Sequence, residues 1–138
     1  MSNDMKFIDL CCGIGGFHTA LRNLGMTCSL AADIDEECRK TYLANYNVKP
    51  VGDLRQIDVE KITGFDVLCA GFPCQPFSVA GKRKGSADER HLWPEMLRII
   101  RACEPRWVVG ENVRGLVSWS DGLVFETCCT DLEALGYS

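Results

Sequence analysis

Short apolar runs alternate along the chain with longer stretches in which apolar residues recur every third or fourth position. Residues 6–10 (KFIDL) form a brief apolar run that stops at glycines, the pattern of a buried strand. Phe17, Ala20, Leu21 and Leu24 then fall at i, i+3, i+4 and i+7, one face of a helix that Gly25 closes. Residues 28–32 predict a second strand and residues 35–45 a second helix. A weaker strand falls at 48–51, and a fourth at 66–70 ends at Gly71. Residues 81–90 are polar, charged and glycine-bearing, as loops are. Residues 92–103 predict a helix, with Pro94 in its first turn and Pro105 beyond its end. A fifth strand at 106–110 carries Trp107, Val108 and Val109. Phe125, Cys128, Cys129, Leu132 and Leu135 make the last helical face, with Gly136 at its C-cap. This alternation predicts an α/β fold, a mostly parallel sheet of about five strands with helices on both faces.

The fifth strand is apolar enough to lie inside a sheet, yet residues 111–138 offer no strand to pair with its outer edge. An exposed apolar edge invites another chain. We therefore expect a partner that supplies more sheet, self-association through that edge, or a longer protein of which these residues are part.

At 138 residues the chain is the size of one ordinary domain, and 46% hydrophobic with 25% charged residues excludes wholesale disorder. The net charge of -4 supplies no global basic field, so any nucleic-acid contact must come from a local patch. No apolar run approaches the ~18 residues of a membrane helix, and MSNDMK is no signal peptide, so a cytoplasmic protein without membrane contact is expected. The nine cysteines are odd in number, mostly embedded in apolar runs and nowhere spaced C-x-x-C. With only His18 and His91 available, neither near paired cysteines, no metal site is expected, and free thiols in a reducing compartment are.

Candidate chemistry gathers where predicted strands end. Gly13, Gly15 and Gly16 follow the first strand and let backbone approach a ligand closely, with Asp9 as an acceptor beside them. A plain strand-to-helix turn is the alternative, and His18 occupies the third glycine position of a dinucleotide fingerprint. Asp33 ends the second strand about 20 residues later, where open α/β sheets place the acid that holds ribose hydroxyls. Asp35 and Glu36 read as the acidic first turn of the next helix. Asp53 either accepts from an adenine amine or caps a turn. Gly71-Phe-Pro-Cys-Gln-Pro-Phe-Ser78 sets Cys74 between two prolines directly after a buried strand. A cysteine on such a stiff loop, near basic residues that favour its thiolate, is a candidate nucleophile; a rigid structural turn is the alternative. Lys82, Arg83, Lys84 and Arg90 are a basic run, either a solvated loop or a phosphate grip. Glu111 follows the fifth strand, in the layer to face the same cleft and protonate or hydrogen-bond a ring nitrogen, or to pair with Arg114 or Arg90.

Taken in this order, the segments resemble the amino-terminal part of the DNA (cytosine-5)-methyltransferases. Asp9-Leu-Cys-Cys-Gly-Ile-Gly-Gly-Phe17 is similar to that family's first S-adenosylmethionine motif, and Ala32-Asp-Ile-Asp35 and Gly52-Asp-Leu54 to the second and third. Gly71-Phe-Pro-Cys-Gln-Pro-Phe-Ser78 resembles the catalytic-loop motif, Asp88-Glu-Arg-His-Leu92 the one after it, and Glu111-Asn-Val113 the carboxylate motif. The resemblance implies a partial Rossmann-like fold and a cofactor, S-adenosylmethionine, held by Asp9, Cys11, Gly13, Ile14, Gly15, Asp33, Ile34, Asp53, Leu54, Pro73 and Leu92. Cys11 stands where the family usually has an aromatic residue. Cys74 is implied as the nucleophile at C6 of a cytosine, with Glu111 at N3 and the exocyclic amine. Methyl transfer to C5 and loss of the C5 proton would then release Cys74. The implied partner is double-stranded DNA with its target base flipped out, contacted by Gln75, Ser78 and Asn112 and by Lys82, Arg83, Lys84 and Arg90.

The same resemblance makes residues 1–138 the amino-terminal part of a cofactor-binding and catalytic domain of bacterial or phage type. The family's arginine-rich motif, target-recognition domain and last cofactor segment lie outside this sequence. These residues alone are therefore expected to be inactive until a complementing carboxyl-terminal chain is supplied. Two alternatives stand beside this reading: a non-catalytic remnant that binds cofactor or self-associates, and half of an RNA cytosine methyltransferase.

Overall fold

Four short apolar segments, β1 (Lys6–Leu10), β2 (Thr27–Ala32), β3 (Val67–Ala70) and β4 (Trp107–Gly110), pair in parallel in the order β2-β1-β3-β4. The computed structural model describes residues 4–72 and 92–138, so the expected loop at 81–90 lies outside the described residues. Parallel neighbours need crossovers. Helix α1 (Gly16–Asn23) joins β1 to β2, α2 (Glu36–Tyr46) begins the return across β1 to β3, and α3 (Trp93–Cys103) precedes β4. A last helix, α4 (Leu123–Ala134), follows β4 after two 3₁₀ turns. The chain leaves β1 towards β2 and comes back to β1's other side, so the strand order reverses at β1. Ligands of open α/β sheets bind at such a switch, beyond the carboxyl ends of the strands.

The register explains which side chains meet. Ile8, Leu68 and Val108 lie opposite one another on one face, where they join the main core with Leu10, Ala70 and the α3 residues Met96, Ile99 and Ile100. On the other face Phe7 and Val67 pack with Met26, Phe17 and Leu21. Both helices flanking these faces end as the sequence indicates. Gly25 (φ 82°) and Gly136 (φ 94°) take the left-handed conformation just past α1 and α4, and the next amides, Met26 and Tyr137, return to the Leu21 and Leu132 carbonyls.

Two expectations need correction. The strand at 48–51 shrinks to a single parallel bridge between Val51 and Ala32, leaving four strands in the sheet. Pro50 has no N–H to extend that ladder, and after Gly52 the chain turns into a 3₁₀ segment, Leu54–Gln56. The inward face of α1 is also not the predicted one. Phe17 and Leu21 pack inward, but Ala20 and Leu24 are exposed, and His18 is buried instead. The imidazole tolerates burial because Nδ1 bonds the Tyr42 hydroxyl at 2.7 Å. Leu24 falls outside because the eight-residue helix ends before it.

Candidate cofactor and catalytic cleft

Beyond β1 the backbone turns sharply through three left-handed residues, Cys11 (φ 52°), Gly13 (φ 54°) and Gly15 (φ 100°). Gly15 admits no side chain, since the Tyr46 ring occupies the place of its missing Cβ. Cys11 holds its conformation against a cost of about 1–2 kcal/mol. Asp33, at the carboxyl end of β2, braces the turn. Its Oδ2 accepts from the Gly13 amide at 2.8 Å and its Oδ1 from the Asp35 amide at 2.9 Å. Each carboxylate oxygen keeps a further lone pair for a ligand hydroxyl. Asp35 caps α2 through the Cys38 amide (2.9 Å), which with its other amide bonds holds its carboxyl below the ordinary value.

Asp9 lies beneath the turn, fully buried. Its Oδ2 accepts from the Tyr42 hydroxyl at 3.1 Å, while Oδ1 has no hydrogen-bond partner. Burial raises its pKa from 3.8 to about 7, against the lowering by Tyr42 and with a further push from Asp33. Burial and the same carboxylates push the Cys11 thiol up to about 12 and raise Cys12 further, so both remain protonated, poor nucleophiles.

A cavity of about 260 Å³ opens beside the turn. Cys11, Leu54 and Leu92 contribute apolar wall, Asp33 and Ile34 one rim, and Asp53 with Arg55 the other. Of the two alternatives for Asp53, the structure shows the turn cap: its Oδ1 accepts from the Arg55 amide at 2.9 Å. The Arg55 side chain also engages the carboxylate, with Nε at 2.9 and 3.0 Å and an amino group at 2.7 Å. That pairing holds the Asp53 carboxyl below its ordinary value. Arg39 of α2 supports the other rim by donating to the Asp33 and Ile34 carbonyls at 2.9 and 2.8 Å. Ile14 and Ile34 project their side chains outward, 62% and 64% exposed, as surfaces free to cover a flat ligand.

Glu111 follows β4, its amide bonded to the Ala70 carbonyl at 2.9 Å. Gly71 stands between this acid and the glycine turn. A Cβ at Gly71 would lie 3.3 Å from Glu111 Oε2 and 3.7 Å from the Cys11 carbonyl, so the carboxylate and the start of the turn are near neighbours. Asn112, expected to contact substrate, also has a role within the chain. Its amide donates to the Phe72 carbonyl at 2.9 Å and its Oδ1 accepts from the Val113 amide at 2.8 Å, tying the segment after β4 to the one after β3. Pro73, Cys74, Gln75, Ser78, Lys82, Arg83, Lys84 and Arg90 lie outside the described residues. The structure thus brings together Asp9, Cys11, Gly13, Gly15, Asp33, Ile34, Leu54, Leu92 and Glu111. It also adds Tyr42, Tyr46, Arg39 and Arg55, which motif reasoning passed over; the i, i+4 spacing of the two tyrosines was the available signal.

A parallel sheet with a left-handed glycine turn at its switch point, an acid at the end of the second strand and a mostly apolar cavity beside them is the architecture with which open α/β sheets receive a nucleotide cofactor. The residues fit S-adenosylmethionine: carboxylate acceptors for hydroxyls, apolar walls for a ring, and a glycine turn whose backbone carries no side chain at positions 13 and 15 to hold a ligand off. Among solved structures the chain superposes on S. pombe Dnmt2 methyltransferase with a TM-score of 0.78, 23% identity and coverage of 97% of this chain and 43% of that one. A TehB-like SAM-dependent methyltransferase from Corynebacterium glutamicum gives a TM-score of 0.66 at 22% identity, covering 99% of this chain and 67% of that one. Residues 5–138 match the family model of the C-5 cytosine-specific DNA methylases, and the chain belongs to that family. It is 39% identical over 135 residues to the type II methyltransferase M.HhaI of Haemophilus parahaemolyticus, covering 97% of this chain and 41% of the relative. With M.HpaII of Haemophilus parainfluenzae the identity is 44% over 135 residues, with 95% and 38% covered. The chain thus spans about two fifths of the length of these relatives.

Proposed function

We propose that these residues form the amino-terminal part of the cofactor-binding and catalytic domain of a DNA (cytosine-5)-methyltransferase. The observation that carries the reading is the meeting of Glu111 with the Asp33-braced glycine turn across Gly71, beyond the carboxyl ends of β1, β3 and β4. S-adenosylmethionine supplies the electrophilic methyl group when bound. Asp33 would receive its ribose hydroxyls, Cys11, Ile34, Leu54 and Leu92 would give the apolar wall for its adenine, and the turn from Gly13 to Gly15, with Asp9 beneath, would hold its amino-acid end. Asp53 and Pro73 would complete the set that holds it, Asp53 as an acceptor for the adenine amine. The Cys74 thiolate would add to C6 of a flipped cytosine while Glu111 stabilises the ring at N3 and the exocyclic amine. The carbanion so formed at C5 would take the methyl group as its bond to the sulfonium sulfur breaks, leaving S-adenosylhomocysteine. Loss of the C5 proton to a base would then return the ring electrons and expel Cys74. Gln75, Ser78, Lys82, Arg83, Lys84 and Arg90 contact the DNA, and Asn112 acts on it through the segment it pins. We place the reaction in the cytoplasm; among the described residues no helix is long and apolar enough to cross a membrane.

Sheet beyond β4, from a complementing chain or a second copy, completes the enzyme in this reading. The test is trapping on a duplex carrying 5-fluorocytosine, with S-adenosylmethionine and a chain that supplies the rest of a relative such as M.HhaI. A covalent adduct that Cys74→Ser abolishes is expected, with negligible methyl transfer by the 138 residues alone. No adduct under complementation overturns the catalytic reading in favour of a cofactor-binding remnant, and an adduct on RNA but not DNA moves the substrate.

A further inference from the structure

The described site uses the amino-terminal end of α2, through Asp33 and Asp35. The other end of the same helix also reaches the glycine turn. Tyr42 and Tyr46 are four residues apart and so share one face of α2. The Tyr46 hydroxyl donates to the Gly15 carbonyl at 2.8 Å, and Thr19 Oγ1 donates in turn to that hydroxyl. The Tyr46 ring fills the space that Gly15 leaves open, stacks on His18 at 4.0 Å between centroids, and has the Arg22 guanidinium 5.3 Å from its centre. One turn earlier the Tyr42 hydroxyl donates to Asp9 Oδ2 at 3.1 Å and shares a hydrogen bond with His18 Nδ1 at 2.7 Å. Asp9 near the end of β1 and Gly13 and Gly15 in the turn after it are therefore anchored to the β2–α2 unit by Tyr42, Asp33 and Tyr46.

We infer that Tyr46, with Tyr42 behind it, is a positioning residue for the cofactor: α2 clamps the glycine turn at both ends and holds it in the one conformation that receives the ligand. The inference rests on the reading of the turn as an S-adenosylmethionine site and adds residues that touch no reacting atom. The backbone chemistry supports it. Left-handed residues at 11, 13 and 15 are each unfavourable or entropically costly, so the turn needs external partners to persist without ligand. An isosteric loss of the Tyr46 hydroxyl removes one such partner and leaves the packing of its ring in place.

The test compares wild type with Tyr46→Phe in two measurements on the 138-residue chain. Amide hydrogen exchange without ligand is expected to accelerate at residues 11–17 in the variant while β3 amides keep their wild-type rates. Calorimetric titration with S-adenosylhomocysteine is expected to show a dissociation constant raised about fivefold, the scale of one neutral hydrogen bond. Unchanged exchange at 11–17, or exchange that accelerates equally in β3, overturns the clamp, the second outcome marking a general structural role. Faster exchange confined to the turn with unaltered affinity also overturns it, since the turn would then be held for another purpose. Should wild type bind no S-adenosylhomocysteine even with the complementing chain that supplies the last cofactor segment, the cofactor reading falls and the inference falls with it; wild-type binding with an indifferent variant sinks the inference alone.

Discussion

Asp9 couples stability to pH, because burial keeps its proton on in the folded chain up to about pH 7, whereas an unfolded chain releases it near 3.8. Between those values the native state binds the extra proton, so Asp9's contribution to stability is complete below the lower value and is lost as pH rises through the upper. His18 acts in the opposite sense. Burial, with Arg22 nearby, lowers its pKa below 6.5, so acid protonates the unfolded chain first and stability declines as pH falls through that value. The two effects separate in Asp9→Asn, which keeps an acceptor for the Tyr42 hydroxyl and removes one titration. Urea unfolding at pH 5 and pH 8 should show the wild type losing stability relative to the variant by up to a few kcal/mol as pH rises. Equal pH dependence in the two proteins would mean that Asp9 is ionised and solvated in the native chain.

Elements carry the site through their ends, and one staple between them is unusually concentrated. Arg98 on α3 donates to the Ile57 carbonyl at 3.0 Å and the Leu54 carbonyl at 3.2 Å, with its Nε on Glu95 at 2.8 Å. It thereby fixes the 3₁₀ segment whose Leu54 walls the cavity. Arg98→Ala should lower stability by roughly 1–3 kcal/mol in thermal or urea unfolding, and Arg98→Lys should restore little, because a single ammonium does not span both carbonyls in the guanidinium plane. Such a staple was not legible in the sequence, for it joins residues more than forty positions apart through main-chain atoms that have no sequence signature. The strands were legible for the opposite reason. Parallel strands covered on both faces must be continuously apolar, and residues 6–10 and 66–70 are nearly so; residues 106–110 carry the same pattern although one face of that strand is open among the described residues. The placement of Asp33 relative to the glycines was readable too, since the spacing follows from one helix joining two strands. The inward turn of His18 was not, because a polar residue enters the core only when a distant hydroxyl, here Tyr42, receives it. Asp53 likewise gave no hint that Arg55 two positions on would engage its carboxylate.

Across the whole molecule the two sheet faces are covered unequally, and the difference falls on β4. The row Phe7–Val67–Trp107 runs across three paired strands, yet Phe7 and Val67 are buried while Trp107 is 61% exposed. One row further Asp9 and Cys69 are wholly covered and Val109 is 41% exposed. Val108, pointing to the opposite face, packs against the main core. Helix α1 and the aromatic side of α2 shield β1 and β2 but do not extend over β4 among the described residues, and β4 pairs only with β3 there. An apolar strand with an open edge and an open face is a surface that association relieves. Sedimentation velocity of the 138-residue chain should therefore show mass rising with concentration, and the double change Trp107→Glu, Val109→Lys should return it to a monomer with stability altered by no more than about 0.5 kcal/mol. In a longer protein whose further residues cover β4, the same pair of changes should instead cost several kcal/mol by burying charge. The two behaviours identify what occupies this side of the sheet, and a wild-type chain that stays monomeric at every concentration would show that Trp107 and Val109 are as content in water as ordinary surface residues.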